Sequence, residues 1–183
     1  AGERSDALYI VRNGRIKIYR LSESGKEQLV RILLPGDFTG ELALFSGSIN
    51  EAYAAAMEET TVCTVKRAEL QNLLEKYPAI SLKLLAEFAS RLEQSEIQTT
   101  RFANEKVETR LALFLAECLG DQNKQTPVAE VVLPLSKKDL ASYLGTTPET
   151  LSRKLLELEA AGYIVQQTKR RIKIIDVDGL LLA

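Results

Sequence analysis

The sequence predicts an α+β chain: an antiparallel β-roll, then one long helix, then a winged helix-turn-helix. Three observations carry that prediction. Apolar residues alternate with period two from Leu8 to about Val65, in short runs separated by turn residues. From about Ala68 the period becomes helical, and over one stretch it is heptad. Between Ser136 and Ile164 two short helices, each with its own start and stop signals, precede a basic hairpin. No β-α-β alternation occurs, which argues against a nucleotide-binding α/β fold.

The strands come first. LYIV runs into Asn13-Gly14, a strong hairpin signal. RIKIYRL then alternates, with Ile16 and Ile18 on one face and Arg15, Lys17 and Tyr19 on the other. SESGK makes a second turn and EQLVRILL a third strand; Pro35-Gly36-Asp37 breaks the pattern before FTGELALF. A further pair, AYAAAM and TTVCTVK, flanks Glu58-Glu59. Many short strands at close spacing predict an antiparallel sandwich or roll.

Helices follow. AELQNLLEKY ends at Pro78, and a long helix runs from about Ala79 to Ala103. Within it Leu85, Phe88, Leu92, Ser95, Thr99 and Phe102 fall at alternating steps of three and four, an a/d seam made polar at Ser95 and Thr99. A two-stranded parallel dimer is the expected use of that line. The competing use is a helix lying on the roll by the same stripe. Asn104 to Lys106 reads as a hinge, VETRLALFLAECLG as an amphipathic helix, DQNKQTPVAE as a polar loop and VVLPL as a short strand.

Ser136 caps the first helix of the pair, answered by Asp139. Leu140, Ala141 and Leu144 form its apolar face, and Gly145 ends it. Thr147 caps the second helix with Pro148 at its first position. Leu151, Leu155 and Leu158 make its buried stripe, and Gly162 stops it. Glu149, Ser152, Arg153 and Lys154 are thereby left near its N-terminal end on other faces, where a recognition helix reaches base edges. YIVQQTKRRIKIID then reads as two strands around a basic turn, the wing.

At 183 residues, 45% hydrophobic and 27% charged, the chain has an ordinary globular composition that can bury one sizeable core or two modest ones. No apolar run approaches the roughly 18–20 residues of a membrane span, and there is no signal-peptide pattern. The chain opens at Ala1, almost directly on an alternating segment, so further residues are expected before it. A net charge of −1 and a pI near 5.8 weigh against a strongly basic nucleic-acid binder. Placement outweighs the total, however. Lys169, Arg170, Arg171 and Lys173 cluster in the wing, and Lys137 and Lys138 open the first helix of the pair. The absence of histidine excludes His-based metal sites and His acid–base catalysis, and argues against a cupin-like enzyme on the roll, the competing reading from another class. No catalytic and no metal-binding residues are expected. Two widely separated cysteines, Cys63 and Cys118, make neither a disulfide framework nor a zinc spacing, so a reducing cytoplasm is the simplest compartment.

LSKKDLASYLGTTPETLSRKLLELEAAGYI resembles, almost position by position, the helix-turn-helix of the Crp–Fnr family of bacterial transcription regulators. GDFTGELALF resembles the segment leading into that family's cyclic-nucleotide phosphate cassette. The resemblance covers essentially the whole chain. It implies a β-roll (a double-stranded β-helix, here short at its N-terminus) as effector or sensor domain over 1–77. A dimerisation helix over 78–103 and a winged helix DNA-binding domain over 104–183 complete the plan. It also implies a homodimer on double-stranded DNA, RNA polymerase as a partner, a cytoplasmic location and no membrane.

Two departures refine the resemblance. The Arg-Ser pair that grips the cyclic phosphate in family members falls, counting from Gly40 and Glu41, on Glu51 and Ala52. A carboxylate repels phosphate and Ala offers no donor, and the purine-contacting pair falls on Ser95 and Glu96. The pocket is therefore read as degenerate, with Gly40 and Glu41 kept as a turn and a structural carboxylate. The effector is expected to be other than cyclic AMP, or none; a cyclic-nucleotide regulator with a rearranged pocket is the alternative.

The second departure is in the recognition helix, where Glu149, Ser152 and Arg153 follow the Fnr branch. Arg153 can donate twice to guanine, Glu149 can accept from cytosine and orient the arginine, and Ser152 admits a thymine methyl. The implied site is an inverted TTGA-type repeat. A scaffold protein has no need of that combination. Lys138, Thr147, Thr150, Lys169, Arg170 and Arg171 are candidate phosphate contacts. Cys63 sits where Fnr has a cluster cysteine. An iron–sulfur cofactor, and a redox-responsive regulator, would require three more cysteines from preceding residues; the ordinary reading is a buried strand cysteine acting as a small hydrophobe.

Overall fold

The computed structural model describes residues 1–3, 5–47, 49–123 and 129–182. Two compact units, Ala1–Ser95 and Glu96–Ala183, divide the chain.

The first unit is a roll of two three-stranded antiparallel sheets. In one, β1 (Ala7–Asn13) lies between β4 (Phe38–Thr39) and β6 (Thr61–Lys66). In the other, β2 (Ile16–Leu21) lies between β3 (Glu27–Leu33) and β5 (Tyr53–Ala56). Alternation does its work here: Ile16 and Ile18 turn inward with Val11 and Leu33 to make one apolar cluster. Leu8, Phe38, Leu44 and Leu70 make a second, against which Leu84 and Phe88 pack.

Asn13-Gly14 does not make a hairpin. β1 and β2 belong to different sheets, so this turn is a corner where the chain leaves one sheet for the other. Glu58-Glu59, between β5 and β6, crosses back in the same place. The two corners are clasped. Arg15 donates from Nε and Nη2 to the two carboxylate oxygens of Glu58, each at 2.9 Å, a bidentate geometry. The amide of Met57 donates to the carbonyl of Arg15. Gly14, at φ 84°, lies so close that a Cβ there would stand 2.5 Å from the Glu59 carbonyl oxygen. Of the dipeptide only the glycine takes positive φ, which this corner needs and an Asn-Gly hairpin would need at both residues. SESGK is a true hairpin turn, joining β2 to β3 with the Ser22 amide on the Lys26 carbonyl.

Four helices complete this part of the chain's path. α1 (Glu41–Ser46) lies between β4 and β5, α2 (Arg67–Lys76) and α3 (Pro78–Asn104) follow the sheets, and α4 (Val107–Asn123) comes after the link at Glu105 and Lys106, the second unit having begun within α3 at Glu96. α1 was not expected within FTGELALF; six residues are too few to show a helical period. Pro78 both separates α2 from α3 and starts α3, where its missing N–H costs nothing. No described helix is long and apolar enough to cross a membrane.

In the second unit α4 runs to Asn123, beyond the expected end at Gly120, and residues 124–128 of the expected polar loop lie outside the described residues. The remainder of that loop is strand: β7 (Ala129–Val132) pairs with β9 (Arg171–Ile174), which also pairs with β8 (Ile164–Gln166). α5 (Lys137–Tyr143) and α6 (Pro148–Ala160) are the expected pair, and α7 (Val177–Leu182), not anticipated, buries Leu180. Leu111, Leu115, Leu140, Leu151, Leu155, Leu158, Ile164, Ile172 and Ile174 fill the core between the helices and the small sheet.

Candidate functional site

The helix pair is built by local chemistry. Ser136 Oγ accepts from the Asp139 amide at 3.1 Å and donates to Asp139 Oδ2 at 2.6 Å, so cap and carboxylate hold each other. At the other end of α5 the amides of Gly145 and Thr146 donate to the carbonyls of Ser142 and Ala141, a Schellman closure that places Gly145 at φ 65°. Thr147 Oγ1 then accepts from the Thr150 amide at 3.2 Å and starts α6. The same closure ends α6, with Gly162 and Tyr163 donating to Glu159 and Leu158.

With Leu151, Leu155 and Leu158 buried, Glu149 and Arg153, four residues apart, share the opposite face of α6, and Ser152 lies between that face and the stripe. The Arg153 side chain is 68% exposed, and its contact with Glu157 is long, at 3.7 Å. Such a pair is worth little and releases easily. Lys154 is different. It stands beside the stripe and turns inward, donating to Glu108 of α4 at 3.0 Å and to Glu157 at 2.5 Å. Those two hydrogen bonds, Glu157 first, push its pKa up. Lys154 therefore ties α6 to α4 and does not join the exposed face on which it was expected.

The wing is fixed to the pair by one carboxylate. Glu159, near the end of α6, accepts from the Gln166 amide at 2.7 Å and from Gln166 Nε2 at 3.0 Å. Gln166 Oε1 in turn accepts from Lys137 Nζ at 3.1 Å. One strut thus joins α6, β8 and α5. The backbone and side-chain donors of Gln166 hold the Glu159 carboxyl below its ordinary range. At the tip, Thr168 Oγ1 accepts from the amides of Arg170 and Arg171, which shapes the turn. Lys169, Arg170 and Arg171 are exposed, Arg171 at 3.6 Å from Glu130. Lys138 is exposed at the start of α5, and the Thr147 hydroxyl donates to Thr150 Oγ1 at 3.3 Å. Neither Glu159 nor Gln166 was singled out in the sequence; no residue pattern marks a carboxylate that reaches a neighbouring strand.

In the roll, Gly40 begins α1 at φ 94°, where a Cβ would stand 2.5 Å from the Ala7 carbonyl oxygen. Glu41 Oε1 accepts from Arg31 of β3 at 2.8 Å and Arg91 of α3 at 3.2 Å. Arg91 also donates to the Phe38 carbonyl and to Glu87, and lies over the Phe38 ring at 4.1 Å. Arg91 carries no motif, but it stands three residues after Phe88, on the stripe that meets the roll. Glu51 pairs with Arg20 at 3.2 Å, both well exposed, and Ala52 packs beside Val11 and Ile16.

The heptad line divides. Phe88 meets Phe38 and Phe45 edge-on at centroid distances of 5.9 and 6.0 Å, so this position lies on the roll. Phe102 packs against Gly145 and beside Arg110. Leu85 and Leu92 stay exposed, as does Leu82, and Ser95 and Thr99 are exposed between them and Phe102. Cys63 is exposed on β6, contrary to its reading as a buried hydrophobe. β6 pairs only with β1 among the described strands, and its side chains are largely uncovered.

Two family models match the chain: a cyclic nucleotide-binding domain over residues 1–77 and a Crp-like helix-turn-helix domain over 109–182. The chain is 34% identical over 173 residues to the probable transcriptional regulator flp of Lacticaseibacillus casei, spanning 94% of this chain and 77% of that protein. It is 32% identical over 182 residues to the anaerobic regulatory protein of Haemophilus influenzae, spanning 99% and 70%. Among solved structures, FixK2 from Bradyrhizobium japonicum superposes with a TM-score of 0.79 at 30% identity, over 98% of this chain and 87% of that one.

Proposed function

The chain belongs to the Crp–Fnr family of transcription regulators, and from that premise we propose that it binds an inverted TTGA-type repeat as a homodimer, with an effector other than cyclic AMP or none. The observation that carries the reading is the capped end of α6, where Glu149 and Arg153 share the exposed face and half-buried Ser152 lies at its edge. A guanidinium that is 68% exposed and only loosely paired can donate to guanine N7 and O6 without first breaking a strong contact. Glu149, on the same face, accepts from the cytosine amino group. Lys138, Thr150, Lys169, Arg170 and Arg171 supply phosphate contacts that position the protein and make affinity depend on salt. Fluorescence anisotropy on TTGA-repeat and scrambled duplexes tests the reading. Glu149→Ala and Arg153→Ala each lose about 1–3 kcal/mol on the repeat and little on scrambled DNA. Equal affinity for the two duplexes, unchanged by either substitution, overturns it.

The roll's residues do not fit a cyclic nucleotide. Glu51, which counts to the place of the phosphate-gripping arginine, brings a carboxylate paired with Arg20, Ala52 has no donor and is used in packing, and Glu41 Oε1 is held by two arginines, which leaves only its buried Oε2 without a partner. Calorimetry with cyclic AMP and cyclic GMP is expected to show no heat of binding; micromolar affinity would restore the cyclic-nucleotide reading. An iron–sulfur cluster is held by about four cysteines, and this sequence has two, Cys63 in one unit and Cys118 in the other, so a cluster would need ligands from elsewhere. The regulator works in the cytoplasm and meets RNA polymerase at its promoters under the same reading.

A further inference from the structure

The turn between α5 and α6 is held from outside by the end of α3. Arg110, in the first turn of α4, donates from Nε to the Leu144 carbonyl at 3.1 Å and from Nη1 to the Glu105 carbonyl at 2.6 Å. One of these oxygens belongs to the C-cap of α5, the other to the link between α3 and α4. The guanidinium also lies 5.1 Å from the centroid of the Phe102 ring. That ring approaches Gly145 so closely that a Cβ there would stand 3.1 Å from Phe102 Cε1, with both residues still partly open to solvent. One residue earlier, Arg101 pairs with Glu117 of α4 at 2.7 Å. The last turn of α3, the link and the helix-pair turn are thus one packed cluster, all within the second unit.

We infer that Phe102 and Arg110 are positioning residues, which clamp the turn between α5 and α6 to the last turn of α3 and so set where each recognition helix is presented for half-site spacing. This rests on the reading of the protein as a dimer on an inverted repeat. Leu144 and Gly145 lie immediately before Thr147, the cap of α6, so a shift of the turn moves the end of α6 that carries Glu149, Ser152 and Arg153. A carbonyl accepts from only a limited arc of directions, and Arg110 meets two with one rigid plane. The turn therefore has one preferred place relative to the last turn of α3. A clamp of this kind leaves the contacts within a single half-site untouched and constrains the distance between two of them.

Anisotropy on inverted TTGA repeats whose half-sites are moved apart one base pair at a time tests the clamp, with a single half-site duplex alongside. The wild type is expected to prefer one spacing by roughly tenfold, and Arg110→Met and Phe102→Leu to flatten that preference to about twofold while keeping single-half-site affinity. Phe102→Tyr, which keeps the ring over Gly145, retains the preference and serves as the folded control. Variants that lose affinity equally at every spacing, and on the single half-site, would reduce the cluster to ordinary structural packing and overturn the inference. A wild type that does not distinguish TTGA repeats from scrambled DNA overturns the proposed function itself, and the inference with it.

Discussion

Residues of one type follow different chemistry here because burial differs. The two thiols are the plainest case. Cys63 is exposed on a strand whose sheet pairing stops at β1 among the described residues. Cys118 lies half-buried on α4, where burial first and the Glu117 carboxylate second push its pKa from 9.0 up to about 11. A raised thiol pKa means the neutral form persists well above neutrality, and only the thiolate attacks an alkylating agent. Iodoacetamide at about pH 8 is therefore expected to modify Cys63 in the native protein and to reach Cys118 only after denaturant is added. Peptide mass mapping of briefly treated samples reads the outcome; equal modification of both would contradict the burial of Cys118. The alternation in TTVCTVK could not reveal this difference, because period two says which residues share a face and not whether anything covers it.

Elements were legible in proportion to how local their determinants are. α5 and α6 could be bounded from Ser136, Gly145, Thr147, Pro148 and Gly162, because each residue acts on its own backbone within one turn. α1 and α7, six residues each, hide in FTGELALF and VDGLLL, since their helicity comes from tertiary burial of Leu44 and Leu180. Asn13-Gly14 gave positive φ at the glycine alone and the wrong pairing: a glycine's φ is local, the choice of sheet is not. The strut at Glu159 is likewise non-local, and it carries a pH dependence. The folded carboxyl is depressed by Gln166, so its stabilising effect is fully present above the unfolded value of 4.5 and is lost as pH falls through the folded value. Glu159→Gln should lower the melting temperature at neutral pH, with the gap to wild type closing below about pH 4.5. Thermal melts by circular dichroism across that range decide it. A gap independent of pH would mean that the ionised carboxyl is not what Gln166 recognises.

For the whole molecule, the heptad line of α3 matters most, because it was expected to serve a single purpose and is shared among three. Phe88 packs on the roll and Phe102 lies against the helix-pair turn, and Leu82, Leu85 and Leu92 are the most exposed large apolar residues of a helix with no fully buried position. Scattered exposed leucines are ordinary, but three aligned on one helix within three turns are a patch of the kind that marks an interface. The polar Ser95 and Thr99 continue that line toward Phe102 and would weaken a seam there, leaving association to its N-terminal half. Leu85→Glu with Leu92→Glu places like charges on both copies of that half at positions 62% and 61% exposed, where the monomer has little packing to lose. Sedimentation equilibrium should then move the protein from twice its 20.3 kDa chain mass to a single chain, with its melting curve at low concentration little changed. Binding to a single TTGA half-site should survive, while the added affinity of the inverted repeat, which comes from linking two reading heads, should disappear. A double variant that stays dimeric would place the seam elsewhere and detach the spacing of the recognition helices from α3.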